Sequence, residues 1–364
     1  MAATPTVTPH TIPLLHFDGS YRDVGRQIGE ACGDVIERAV AFDQELPAGR
    51  TRADQLALAS RYRDLTAAAM PWLIEELDGA AEGADVDPLA LFACSVEEIW
   101  YEPRTPGAGA AIDGRCSDVV ARSPATADGH VLVGHNNDLS PRYRDELVAI
   151  ERRVPGDPAI LTIGNGIWIS VGWNAAGLSL TGNELSPNDE RVGIPRELQV
   201  REMLRDTSLD AMVGTALRHD RASSYNNVLA SSDGGVVNVE GSATSAEMTE
   251  PDERGHLVHT NHYVCDAMLP YEGDPAYARR SAVRYARAEE LLAAQADGTM
   301  TEERMREILS DHEHAPDSLC RHAQDGVAGS VTCFWCVADV TDMQITFGRG
   351  NPCDSVAQEF VFAG

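Results

Sequence analysis

Lysine is missing from this chain: all 29 of its basic residues are arginine. That absence removes Schiff-base catalysis of the pyridoxal kind, a lysine nucleophile and a phosphate-loop lysine, because each needs a primary side-chain amine. Positive charge of any kind is scarce, with 57 acidic residues against 29 basic ones and a formal net charge of −28. A field of that sign repels phosphate backbones and anionic bilayers, which argues against nucleic acid and membrane surfaces as partners. Long apolar runs are absent too, so no segment reads as a membrane span. The start, Met-Ala-Ala-Thr-Pro, has neither the basic lead nor the apolar centre of a signal peptide, and the expected location is cytoplasmic.

Cysteine is present without an evident pattern. Its eight positions, 32, 94, 116, 265, 320, 333, 336 and 353, are scattered, as suits reduced thiols. Cys333-Phe-Trp-Cys336 has the spacing of a metal or redox pair. It falls, however, in a segment (331–340) that reads as a buried strand, where residues three apart point to opposite faces. No second pair stands at zinc-finger spacing, so neither a metal site nor a cofactor is expected.

The first hundred residues are mostly helical in pattern. A strand at 12–18 precedes a helix over 21–42 that Ser20 would cap. A second helical region covers 51–76, broken or restarted at Pro71, and a third covers 88–100. Strands then dominate: a meander at 159–163, 167–171 and 177–181, helices at 195–205 and 208–218, and strands at 226–231 and 236–240. A polar loop (242–255) leads to a short strand at 257–260. Helices at 277–294 and 301–312 come before strands at 331–340, 344–347 and 359–362. This alternation suits an α+β layered structure of antiparallel sheets and helices. No repeat is evident at solenoid or propeller periods.

Between the helical and strand-rich parts lies Asp113-Gly-Arg-Cys-Ser-Asp118, after a Gly/Ala/Pro-rich run from Thr105 to Ala111. The alternating residues 116–120 and the apolar residues 131–133 flank Asp128-Gly129, a strong hairpin signal. Cys116 therefore opens a strand at the end of a glycine-rich lead. That is where an enzyme that cuts its own chain before a cysteine would keep its nucleophile.

Several further stretches stand out in order along the chain. They are Gly19-Ser-Tyr-Arg-Asp-Val-Gly-Arg-Gln-Ile-Gly29, Leu77-Asp-Gly-Ala-Ala-Glu-Gly83, Gly114-Arg-Cys-Ser-Asp118 and Gly134-His-Asn-Asn-Asp138. Val171-Gly-Trp-Asn-Ala-Ala-Gly-Leu178, His259-Thr-Asn-His262 and Ser318-Leu-Cys-Arg321 complete the ordered set, which together resembles the acyl-coenzyme A:6-aminopenicillanate acyltransferase family. The resemblance implies a four-layer αββα N-terminal-nucleophile fold, cut between Arg115 and Cys116. Residues 1–115 would then be a helical leader and 116–364 the fragment bearing the nucleophile, the two staying associated in one domain. It also implies Cys116 as nucleophile, Asp138 as the motif aspartate and Asn261 as oxyanion donor. Asn183, Ser242 and His262 are secondary, substrate-side candidates, and His259 and His262 read as core histidines bonded to main chain. Val327-Ala-Gly-Ser330 stands where the family's penicillin enzyme has an arginine and a serine, so the resemblance carries the chemistry rather than the penicillin substrate.

The implied activity is amide hydrolysis or acyl transfer on small N-acyl compounds through a thioester. The alternatives are a bile-salt or ceramide type cysteine amidase of the same fold, and a non-catalytic binding protein on that fold. The expected partner is a small N-acyl molecule, with oligomerisation left open. The residue types suit this chemistry. A thiol of ordinary pKa, about 8.5, is only slightly ionised at neutral pH. An α-amine titrating near about 7.7–8 on the same residue can accept its proton.

Overall fold

The computed structural model describes residues 10–42, 51–100, 116–323 and 329–362. Arg115 and the glycine-rich lead before it lie outside the described residues, as does Val327.

Strand β1 (Leu14–Asp18) is followed by helices α1 (Tyr21–Phe42), α2 (Arg52–Ala69), α3 (Pro71–Gly83), α4 (Pro88–Cys94) and α5 (Glu97–Trp100). Local chemistry sets their starts. Ser20 and Asp23 exchange reciprocal bonds at the head of α1, Thr51 and Asp54 form a capping box for α2, and Pro71 occupies the first turn of α3. Helices α1 and α3 pack through glycines. A Cβ on Gly25 would stand 1.9 Å from the Glu76 carbonyl oxygen, and one on Gly83 would stand 2.1 Å from that of Arg26. Only hydrogen fits at these crossings.

The strands that follow are β2 (Ser117–Ala121), β3 (Leu132–Leu139), β4 (Val148–Arg153), β5 (Ile160–Asn165), β6 (Trp168–Asn174) and β7 (Leu178–Asn183). Then come α6 (Arg196–Met203), α7 (Leu209–Ala216), β8 (Asn226–Ser231), β9 (Val236–Gly241), β10 (Ala246–Thr249) and β11 (His256–His259). The last elements are α8 (Pro275–Ala293), α9 (Glu302–Leu309), β12 (Val331–Asp339), β13 (Gln344–Arg349) and β14 (Gln358–Val361).

The strands form an eight-stranded sheet, β1-β4-β5-β6-β7-β8-β9-β10, and a six-stranded sheet, β11-β2-β3-β12-β13-β14. All neighbours are antiparallel except β1 and β4. Inner faces of both sheets meet in one apolar core that includes Val120, Val133, Ile163, Trp173, Val228 and Phe334. Helices α8 and α9 cover the outer face of the smaller sheet through Ala288, Met305 and Leu309. Helices α6 and α7 cover part of the larger sheet's outer face, and α1 to α5 pack beside them against Ile150 and Leu198. This is the four-layer αββα sandwich that the family resemblance implies.

Two strands go beyond the sequence pattern. In β4 the polar run Glu151-Arg152-Arg153 is strand because its charges are paired. Arg152 lies 3.4 Å from Glu76 of α3, and Glu151 bonds His16 of β1 and Arg153. The polar loop after β9 contains β10, an edge strand with three of its four residues exposed. One expectation is overturned. A register shift between Thr332 and Phe334 bulges β12 at Cys333, so Cys333 and Cys336 both belong to the inter-sheet core rather than to opposite faces.

Candidate active site

The register of the β2–β3 hairpin pairs Ser117 with Asn136 and Asp118 with His135. Continued one step past the strand end, it places Cys116 beside Asn137. The Asn137 Nδ2 donates to Cys116 Sγ at 3.6 Å. Strand β11 pairs with the other edge of β2, with His259 opposite Asp118. That brings the turn beginning at Thr260 back over Cys116. The Cys116 backbone N–H donates to Asn261 Oδ1 at 2.8 Å.

Two donors converge on that oxygen, because Arg284 of α8 also reaches Asn261 Oδ1 at 2.7 Å. This fixes which way the carboxamide faces, with Nδ2 donating to the Glu184 carbonyl at 3.1 Å. An amide nitrogen carries two hydrogens, so one bond to Glu184 leaves the second for an oxyanion. Asn261 itself is anchored by its N–H, which donates to Ser281 Oγ at 2.7 Å.

Asp138 sits three positions past His135 and four past Gly134 in the same motif, on the buried end of β3, fully shielded from solvent. Its Oδ1 accepts from Thr332 Oγ1 at 2.7 Å, and Arg321 Nε lies 3.9 Å from Oδ2. Burial pushes this carboxyl up to about 6, against the pull of Arg321 and Arg284. The Cys116 thiol is buried and held well above its ordinary range by that burial, with Asp138, Asp118 and Glu184 adding to the effect. Within an intact peptide chain it is therefore a protonated thiol that needs a local base. Beneath it, His135 Nδ1 and Asp118 Oδ1 form a fully buried pair at 2.9 Å.

Among the secondary candidates, Asn183 ends β7, the strand of the larger sheet that lies against β2. Its Oδ1 receives His259 Nδ1 at 3.0 Å and Asn226 Nδ2 at 3.2 Å. The other His259 nitrogen is 2.8 Å from Glu240 Oε1. His262 lies behind Asn261, with Nδ1 3.0 Å from the same Ser281 Oγ and its ring edge-on to Tyr285. Burial, with His259 and Arg284 nearby, drives it down to about 4, so it is neutral at physiological pH. Both histidines bond side chains rather than the main chain that the sequence suggested. Ser242 bonds Asp189 Oδ2 at 2.9 Å and caps the turn at Thr244 and Ser245, which is loop chemistry. The structure thus gathers Cys116, Asp138 and Asn261, with Asn183 and His262 behind them, and leaves Ser242 in its own loop. Sequence reasoning missed Asn137, Arg284 and Arg321. Asn137 lies inside a quoted motif, whereas nothing marks Arg284 among 29 arginines.

These features define an αββα protein with a buried cysteine at the head of a strand and an asparagine on its nitrogen. The sequence profile described as acyl-coenzyme A:6-aminopenicillanic acid acyl-transferase matches residues 125–354. That is more than half of the chain, and the chain belongs to this family. The matched stretch contains Asp138 and Asn261 and begins after Cys116. Membership places the chain among enzymes of the acyl-transfer class. A relative from Emericella nidulans, the acyl-coenzyme A:6-aminopenicillanic-acid-acyltransferase 40 kDa form, is 27% identical over 349 residues, 93% of each chain. Similar solved structures include the Caenorhabditis elegans N-acylethanolamine-hydrolyzing acid amidase ortholog, 16% identical over 62% of this chain and 93% of that one, TM-score 0.43. Another is a variant of the conjugated bile acid hydrolase from Clostridium perfringens, 12% identical over 68% and 97%, TM-score 0.46. Among the described residues, no helix is long and apolar enough to cross a membrane.

Proposed function

We propose that this chain cuts itself between Arg115 and Cys116 and then acts as an N-terminal-cysteine amide hydrolase or acyltransferase on small N-acyl compounds. The observation that carries the reading is the Cys116 environment: its N–H on Asn261 Oδ1 at 2.8 Å and its Sγ beside Asn137 Nδ2 at 3.6 Å. In self-cleavage, Sγ attacks the Arg115 carbonyl carbon and the C–N bond breaks, so the acyl group passes from nitrogen to sulfur. Water then hydrolyses the thioester, leaving the Arg115 carboxylate and a Cys116 thiol with a free α-amine.

That amine supplies the base the buried thiol lacks. It takes the thiol proton, Sγ attacks the substrate carbonyl, and the oxyanion meets the second Nδ2 hydrogen of Asn261. The proton passes to the departing amine, which leaves a thioester on Cys116. Water resolves it in hydrolysis, and a second amine resolves it in transfer. Asn261 Oδ1 holds the α-amine throughout, and Asp138 stabilises it when charged.

A panel of acyl amides, quenched in acid and read by mass spectrometry, tests this. The fragment starting at Cys116 gains the mass of one acyl group, and hydroxylamine removes it. An active enzyme that carries its acyl group elsewhere, or never carries one, would overturn the reading.

A further inference from the structure

Away from Cys116, four side chains from three segments converge. His312 follows the end of α9, Cys320 and His322 lie on the segment leading to β12, and Cys353 lies on the loop after β13. One ligand atom from each lies within 4.8 Å of all the others. Sγ of Cys320 is 3.7 Å from Sγ of Cys353, and these sulfurs are 3.6 and 3.4 Å from His322 Nε2. His312 Nε2 is 3.0 Å from His322 Nε2.

These edges match a tetrahedron around a small cation. Zinc bonds of about 2.3 Å to sulfur and about 2.0–2.1 Å to nitrogen put sulfurs about 3.8 Å apart, sulfur and nitrogen about 3.5 Å apart and nitrogens about 3.3 Å apart. Two thiols and two imidazoles with no carboxylate among them form a soft donor set that selects zinc over magnesium or calcium. An outer partner is also in place. Asn351 Nδ2 donates to Cys320 Sγ at 3.3 Å and to the Arg321 carbonyl at 2.7 Å, the kind of contact that orients a ligating thiolate.

We propose that His312, Cys320, His322 and Cys353 form a closed Cys2His2 site for a structural zinc ion. Loading the site releases the two thiol protons and transfers no electrons. With all four positions filled by protein, the ion has no place for substrate, and its role is to tie three segments together. The residue between two of the ligands is Arg321, whose N–H donates to Thr332 Oγ1 at 3.0 Å while that hydroxyl donates to Asp138. The ion therefore fixes the segment that carries Arg321 to Asp138. The spacing, His-x7-Cys-x-His followed by a distant cysteine, is unlike a zinc finger's paired cysteines, so the sequence alone did not disclose it.

The test is metal content of full-length protein purified without chelators, backed by cobalt(II) added to metal-free protein. The proposal expects about one zinc per chain, lost in Cys353→Ser and retained in Cys94→Ser, and the visible bands of tetrahedral cobalt–thiolate. Cys353 is exposed, so its replacement spares the core. Wild-type spectra stand as an independent readout should that variant misfold. Full zinc in Cys353→Ser, a Cys320–Cys353 disulfide in anaerobically isolated protein, or reduced metal-free protein that gives no cobalt bands would overturn it.

Discussion

Asn261 performs two tasks with opposite ends of one carboxamide: Oδ1 accepts from Cys116 and Arg284, and Nδ2 donates. Asn261→Asp keeps the acceptor and removes the donor. Turnover per cleaved chain should fall about 10²–10³-fold, the usual cost of an oxyanion donor, with a much smaller change in KM. A drop confined to KM would assign Asn261 to substrate binding instead. Asp138 gives a pH signature. Its carboxyl is raised from 3.8 to about 6 before any α-amine exists beside it. The sign follows: the folded state holds this proton when the unfolded chain has lost it. Its contribution is thus full below 3.8 and is lost as pH rises through about 6. In an uncut Cys116→Ala background, Asp138→Asn should remove that decline, worth up to about 3 kcal/mol across the window. Urea midpoints at a series of pH values read it, and parallel curves for the two proteins would contradict it.

The helices carry a different lesson. The α1–α3 crossing admits no side-chain carbon at four glycines: Gly25, Gly29, Gly79 and Gly83 each face a backbone oxygen within 2.3 Å of an added Cβ. Gly29→Ala should lower stability by about 1–3 kcal/mol through overpacking, seen as a lower urea midpoint. Gly33→Ala in the same helix meets nothing nearer than 3.9 Å and should be tolerated. Equal losses at both positions would show that helix geometry rather than the crossing matters. Elements were legible where apolar residues kept a period. The 21–42 helix and the 226–231 strand lie where the pattern put them. Elements whose buried residues are charged or amide-bearing were not: β4, and the His135-Asn-Asn-Asp138 half of β3. Burial there rests on partners distant in sequence, such as Glu76 for Arg152 and Thr332 for Asp138. The same reason hid Arg284 and the bulge at Cys333, whereas Cys116, Asp138 and Asn261 stood out through the ordered motifs.

At the scale of the molecule, residues before Cys116 are built into the same body as those after it. Strand β1 pairs with β4 from Leu14↔Ala149 to Asp18↔Arg153. Glu76 is buried against Arg201 at 2.7 Å and Arg152 at 3.4 Å, and Glu98 accepts from the Arg196 N–H and Ser223 Oγ. Cutting one peptide bond before Cys116 removes none of these contacts. The two pieces should co-elute under native conditions and separate only in denaturant. The most direct test of the account is intact mass and N-terminal sequencing of freshly folded, full-length protein in denaturant. The account predicts two fragments, residues 1–115 and 116–364, the second beginning Cys-Ser-Asp-Val-Val, and a single uncut chain for Cys116→Ala. An active wild-type enzyme that remains one unbroken chain would contradict it.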